Sequence, residues 1–174
     1  TSPVANSNGN AMAKTEFDAN RAFEHVRKQV AFGPRPAGSP ALAETRRYLV
    51  AELTSYGLKV TEEPFTATTP AGRIEMVNVI AELPGLSGDA VVLGSHYDTK
   101  RMANFVGAND AGSSTGALLE IARVLAGQAK SKKPELSIQF VFFDGEEAVI
   151  EWSDEDSTYG SRHFVTSRQK AGKL

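Results

Sequence analysis

The stretch Val141 to Ala148 reads VFFDGEEA, and it runs an apolar strand directly into two adjacent glutamates, Glu146 and Glu147. Acidic residues at the end of a strand are typical of binding sites in α/β proteins, because ligands bind beyond the carboxyl ends of the strands. Two polar clusters lie upstream: His96-Tyr97-Asp98 follows an apolar run, and Asp110 heads a helical pattern. Together they predict a metal-dependent enzyme.

Composition favours one globular domain and excludes several classes of function. The chain has 174 residues, is 41% hydrophobic and carries a formal charge of −2 without long runs of either sign, so we expect no nucleic-acid partner. It contains no cysteine, so any metal must bind through nitrogen and oxygen. No apolar run approaches the roughly 18 residues of a membrane span.

The N-terminal end differs in character from the rest. Residues 1–14 are polar and are predicted to be disordered, whereas residues 15–174 are predicted to form one α/β domain. The polar start is compatible with the mature end of an exported protein, and we expect a secreted or periplasmic location.

Periodicity in the first half predicts two helices followed by antiparallel strands. The first helix is expected over 15–32, with Thr15 as its cap and an apolar face made of Phe17, Phe23, Val26 and Val30. The second begins at the Ser39-Pro40 cap signal and stops at Gly57. Short strands are expected at 58–61, 65–68 and 74–83, with a turn at 70–72.

The second half predicts a strand-helix-strand unit over the apolar run 90–94, the helical pattern 110–125 and the apolar run 136–143. The first strand is expected to be central and buried on both faces. Because such a crossover leaves its two strands parallel, their polar ends should meet at one sheet edge. We expect a mixed, mostly parallel central sheet flanked by helices.

Oxygen and imidazole ligands without sulfur suit zinc, and Asp110 and Glu147 are the first two candidate ligands. Glu146 is expected to stay off the metal and to carry protons. Each acid also has a structural interpretation, as a helix cap or a solvated turn residue. His96 is left open between a metal-site residue and a buried structural histidine, whereas His25 and His163 are expected at the surface.

These motifs resemble those of the glutaminyl-peptide cyclotransferases, which are related to the zinc aminopeptidases. The resemblance rests on FFDGEEA at 142–148 followed by Trp152-Ser153 and by DSTYGSRH at 156–163, together with HYDTK at 96–100 and VGAND at 106–110. The aminopeptidases share only the Gly-Glu-Glu portion of the longest motif. The similarity covers nearly everything after Thr15 and implies a zinc exopeptidase-like fold.

The resemblance implies a transferase that binds Zn²⁺ and acts on peptides with N-terminal glutamine, forming pyroglutamate and releasing ammonia. It implies that Asp110 and Glu147 are zinc ligands, that Glu146 is the general acid/base and that Trp152 belongs to the substrate pocket. In the two-zinc aminopeptidases the position of His96 is a ligand oriented by Asp98, whereas single-zinc cyclases need not use it.

Members of this family continue well beyond Leu174 and take a histidine ligand and further pocket residues from that part. We therefore expect this chain to be the N-terminal portion of a longer enzyme, inactive on its own if an essential ligand is missing, with an open apolar sheet edge. Two alternatives remain. One is a zinc aminopeptidase using His96, Asp110 and Glu147, and the other is a non-catalytic peptide-binding module or inactive fragment.

Overall fold

The computed structural model describes residues 16–172, which form four helices and one four-stranded sheet. The elements in chain order are α1 Ala19–Ala31, α2 Pro40–Ser55, β1 Lys59–Thr69, β2 Gly72–Leu83, β3 Ala90–His96, α3 Gly112–Ala129, β4 Ser137–Phe143 and α4 Tyr159–Lys170. The predicted disorder of residues 1–14 and the Thr15 cap lie outside the described residues.

The sheet has the strand order β1-β2-β4-β3, and it is mixed. β1 and β2 form an antiparallel hairpin around the 70–72 turn, and β1 is one continuous strand where two short ones were expected. β4 pairs antiparallel with β2 and parallel with β3. The mixed α/β class is confirmed, but one of the three pairings in the described part is parallel, so the expected parallel majority is not seen there.

The main core lies between one face of the sheet and helices α2 and α3. Leu49 and Leu53 of α2 and Leu119 of α3 are fully buried there, against Phe140 and Phe142 of β4. Each such side chain contributes about 1.5–3 kcal/mol by leaving water. On the other face, α4 is anchored by Phe164, which packs on Ile80 and Val141.

Helix α2 agrees with its sequence signals, but α1 differs from its predicted apolar face. Ser39 caps α2 by accepting the backbone N–H of Leu42. In α1 the cap is Asp18, and Phe17 and Phe23 are half exposed. His25, expected at the surface, is buried, and its ring contacts the hydroxyl groups of Tyr48 in α2 and Tyr56 just after it.

β3 is an edge strand in the described part of the chain, which corrects the prediction of a central strand. Within the described residues β3 pairs with β4 on one side and with no strand on the other. Val91 and Val92 of β3 are 40% and 44% exposed. The apolar run indicated burial, but the strand with neighbours on both sides is β4. Among residues 16–172 no helix is long and apolar enough to cross a membrane.

A groove of about 820 Å³ lies beside the open edge at the start of β3 and β4. Its lining includes Ala90, Val92, Ser137, Phe164 and Arg168. The acidic residues follow the opposite, carboxyl ends of these strands, where His96 pairs in register with Phe143. This groove and the candidate site are therefore at different ends of the sheet.

Candidate metal centre and its acidic neighbours

Three side chains from three chain segments meet beyond the carboxyl ends of β3 and β4. One ligand atom from each of His96, Asp110 and Glu147 lies within 4.8 Å of the others. The Nε2 nitrogen of His96 is 3.1 Å from Oδ1 of Asp110. The predicted convergence of these residues is seen, and it follows from the parallel β3–β4 pairing.

Asp110 reaches this group from a tight loop, and it does not cap α3. The helix begins at Gly112 without a side-chain cap, the Asp110 side chain is 59% exposed, and the Asp110–Ala111 peptide bond is cis. Gly107 has φ +51°, and a Cβ there would collide with the carbonyl oxygen of Asp110. The loop that presents Asp110 therefore requires glycine at this position.

Asp98 joins His96 to the backbone of the two glutamates. It is fully buried, and its Oδ1 lies 3.2 Å from Nδ1 of His96. The same oxygen accepts the backbone N–H of Glu146, and Oδ2 accepts that of Glu147, both at 3.1 Å. With the Nδ1 proton directed at Asp98, a neutral imidazole presents its Nε2 lone pair to the cluster.

The acids shift one another's protonation. Burial lowers the pKa of His96, but the hydrogen bond to Asp98 and the charges of Asp98, Asp110 and Glu147 outweigh it and raise the pKa to about 8. Burial and the negative charges of Asp110 and Asp98 raise the pKa of Glu147. Carboxylates that repel one another at such distances are stabilised by a bound cation.

Glu146 lies beside this cluster with its carboxylate directed at the start of α4. Its Oε1 accepts the backbone N–H of Ser161 at 2.7 Å, and its Oε2 accepts the Ser161 hydroxyl at 2.8 Å. Burial raises the pKa of Glu146, while these two hydrogen bonds oppose the rise. Gly145, with φ +66° and no room for a Cβ beside Met76, makes the turn after β4. The acid/base role of Glu146 remains a prediction.

Arg35 holds the loop between His96 and Asp110, and the sequence interpretation missed it. The guanidinium is fully buried and donates to the carbonyl oxygens of Tyr97, Val106 and Gly107 at 3.1, 2.6 and 3.2 Å. Burial lowers its pKa to about 10, which the charge of Asp98 opposes. An arginine between two prolines in a turn was a weak signal, because its partners are all backbone atoms.

Trp152 and His163 are not members of the donor cluster. Trp152 is 63% exposed on the loop between Glu147 and α4, so it is not packed into the core. His163, expected at the surface, is partly buried and stacks on Phe65 with ring centroids 4.3 Å apart. The sequence identifies Ser161 only as part of the motif at 156–163. Its contact with Glu146 depends on how α4 packs against the sheet, which local sequence does not indicate.

The donor atoms of the cluster fit a divalent metal ion. One imidazole nitrogen and two carboxylate groups are a combination that zinc accepts in catalytic sites, where three protein ligands leave a position open. His96 already has Asp98 behind it, as metal-binding histidines usually do. A mixed α/β fold with such a cluster at its strand ends defines an exopeptidase-like class of metal-dependent proteins.

Comparison with known proteins agrees with that class. The family described as Peptidase family M28 matches residues 78–174, and the chain belongs to this family. Among curated proteins, the glutaminyl-peptide cyclotransferase-like protein of Bos taurus is 39% identical over 140 residues, which cover 75% of this chain and 37% of that protein. The chain thus spans less than half the length of this relative.

Solved structures give the same result. The glutaminyl cyclase of an Acidobacteriales bacterium superposes with a TM-score of 0.82 at 36% identity, covering 99% of this chain and 58% of that one. The glutaminyl cyclase of Porphyromonas gingivalis gives a TM-score of 0.81 at 35% identity, covering 92% and 56%. The resemblance to glutaminyl cyclases within this family is confirmed.

Proposed function

We propose that this chain carries part of the active site of a zinc-dependent glutaminyl-peptide cyclotransferase. The main support is the His96, Asp110 and Glu147 cluster with Glu146 beside it, in a chain similar to proteins of that name. The substrate is a peptide with an N-terminal glutamine. The products are the pyroglutamyl peptide and ammonia.

Asp110 and Glu147 would hold the metal ion, and His96 is the third donor within reach. When bound, zinc supplies Lewis acidity toward the γ-amide carbonyl of the glutamine. Asp98 contributes by keeping His96 in one tautomer and by fixing the backbone that carries Glu146 and Glu147. This arrangement would present the donors before the ion arrives, which reduces the cost of assembling the site.

Glu146 moves the proton. The α-amine of the substrate attacks the carbonyl carbon of its own γ-amide, a new C–N bond forms, the bond to the amide nitrogen breaks, and one proton must pass from the amine to the leaving ammonia. A half-buried carboxyl group with a raised pKa suits both acceptance and donation of that proton. Because the attack is intramolecular, the protein needs only to hold the substrate in a reactive geometry.

An aminopeptidase is the second candidate, favoured by the family match and by the position of His96. In that reaction Glu146 would take a proton from water, and the first residue would leave the peptide. Because Nε2 of His96 lies 3.1 Å from Oδ1 of Asp110, His96 is a third potential donor beside Asp110 and Glu147. A hydrolytic metal site also needs three protein ligands. The two reactions have different products.

Mass spectrometry of a peptide headed by glutamine distinguishes the candidates. After incubation of this chain with zinc, we expect loss of one ammonia and no change in the number of residues. Loss of the first residue would establish the aminopeptidase instead. An unchanged peptide would leave the non-catalytic alternative for this chain alone, and a longer chain would then be tested in the same way.

A matched pair of variants assigns the proton carrier. Glu146→Gln keeps the size of the side chain and removes the exchangeable carboxyl group, so we expect turnover to fall by about 10²-fold or more. Glu135→Gln makes the same change at an exposed position before β4 and should leave turnover unchanged. Equal rates for both variants would contradict the role of Glu146.

A further inference from the structure

The segment between Glu147 and α4 is a loop closed at its base. The backbone N–H of Thr158 donates to the carbonyl oxygen of Glu146, and that of Tyr159 donates to Gly145, both at 2.9 Å. The loop therefore leaves from and returns to the backbone beside the candidate site. Such loops are held by their own side chains and often carry functional groups.

Asp156 is the internal anchor of this loop. It is 2% exposed, and its carboxylate accepts the backbone N–H groups of three consecutive residues. The distances are 2.9 Å from Val149, 2.8 Å from Ile150 and 2.9 Å from Glu151. The hydroxyl of Tyr159 adds a fourth hydrogen bond at 2.7 Å. One carboxylate thus fixes the course of the backbone from 149 to 151.

Trp152 directly follows this anchored stretch, and it is the only tryptophan of the chain. Because 63% of its surface is exposed, packing contributes little to its orientation, and the backbone before it must set its position. The backbone after it is braced as well: Ser153 Oγ accepts the N–H of Asp156, and Arg162 donates to the carbonyl oxygen of Asp154.

We propose that Asp156 is a positioning residue that holds the loop so that Trp152 is a preformed apolar wall for the peptide substrate. The identity of the substrate rests on the proposed function. The positioning effect of Asp156 rests on the hydrogen bonds within the loop. If the Trp152 side chain were flexible, substrate binding would have to order it and would cost conformational entropy. If the loop already restricts its position, that entropy has been lost before the substrate binds. Preorganisation of this kind increases affinity.

The substitution Asp156→Asn tests the anchor with almost no change in size. An amide has one acceptor oxygen, so its NH₂ group would face at least one backbone N–H that now donates to the carboxylate. Two donors facing each other in a buried place are unfavourable. The stretch 149–151 should lose its fixed course, and the side chain of Trp152 should become more mobile.

Time-resolved fluorescence anisotropy of Trp152 measures this mobility directly, without turnover or bound metal. We expect Asp156→Asn to lower the steady-state anisotropy and increase the fast depolarisation. Asp154→Asn, the same change at an exposed position of the same loop, should match the wild type. Tyr159→Phe removes one of the four hydrogen bonds and should give a smaller change, which keeps the test available if Asp156→Asn fails to fold.

Unchanged anisotropy in folded Asp156→Asn, or in Tyr159→Phe where the first variant does not fold, would overturn the proposal. In a chain that cyclises the peptide, Asp156→Asn should raise KM about tenfold with kcat within about twofold. A fall confined to kcat would also overturn it. If neither this chain nor a longer one processes a glutamine peptide, the proposed function fails, and the anisotropy alone decides the role of Asp156.

Discussion

The Nε2 nitrogen of His96 lies 3.1 Å from Oδ1 of Asp110, although the two residues belong to different segments of the chain. His96 ends β3, and Asp110 lies in the loop before α3. Their contact places an imidazole between two carboxyl groups, because Asp98 lies on its Nδ1 side. This pair links the sheet to the loop that brings the acidic cluster together.

Zinc binding should depend on this pair. We expect the purified, metal-free chain to bind one zinc ion, and Asp110→Ala to weaken the binding at least about tenfold because one of three donors is removed. Isothermal titration with zinc measures the change. Asp89→Ala at an exposed, distant position is the control. Equal zinc affinities for Asp110→Ala and Asp89→Ala would mean that the chain binds zinc at another site.

Asp98→Asn should weaken zinc binding without removing a ligand. The asparagine oxygen can still accept from His96, but its NH₂ group then opposes the backbone N–H of Glu147. Loss of such a supporting partner typically costs 10- to 100-fold in metal affinity. The same titration tests it, with metal-free melting temperatures to separate loss of affinity from loss of fold. Wild-type affinity would show that His96 does not need Asp98.

The residues of the site could be predicted from the sequence better than the contacts that hold them. Polar residues after apolar strands indicated His96 and Glu147, because parallel strands bring their carboxyl ends to one edge, and the start of a helical pattern indicated Asp110. Arg35 and Ser161 could not be identified in this way. Their roles depend on backbone carbonyls and on the docking of α4, which leave no pattern in local sequence.

The sheet shows the same limit. An uncharged run such as Ala90–His96 has the composition of a central strand, yet its position depends on which strands pair with it. β4 has a similar composition and lies in the centre because both β2 and β3 pair with it. Composition reports how apolar a strand is, and long-range pairing decides where it lies.

Stability at acidic pH should report on Asp156. The buried position alone would raise its pKa, but the hydroxyl of Tyr159 and three backbone N–H groups lower it from 3.8 to about 2. A lowered folded-state pKa contributes stability above the unfolded value, and this contribution is lost as pH falls from about 4 to about 2. The wild type should exceed Asp156→Asn by about 2 kcal/mol at neutral pH, with the gap closing in that window. Urea unfolding at several pH values measures it, and a constant gap would contradict the assignment.

Asp144 should show the opposite dependence on pH. Burial, and then the charge of Asp98, raise its pKa from 3.8 to about 7, against hydrogen bonds from Val77 and Tyr97. Both bonds reach Oδ2, and Oδ1 has no hydrogen-bond partner. Because the folded state binds this proton more tightly than the unfolded chain does, the stabilising contribution is complete below about pH 4 and is lost as pH rises through about 7.

The variant Asp144→Asn removes this dependence, because an amide does not ionise and can still accept both hydrogen bonds through its oxygen. We expect the stability of the variant relative to the wild type to increase steadily between about pH 4 and pH 7. Urea unfolding over that range measures the difference, with Asp89→Asn as an exposed control that should stay level. A difference that is flat with pH would mean that Asp144 is ionised in the folded protein throughout, and that the charge is balanced by a group other than Val77 and Tyr97.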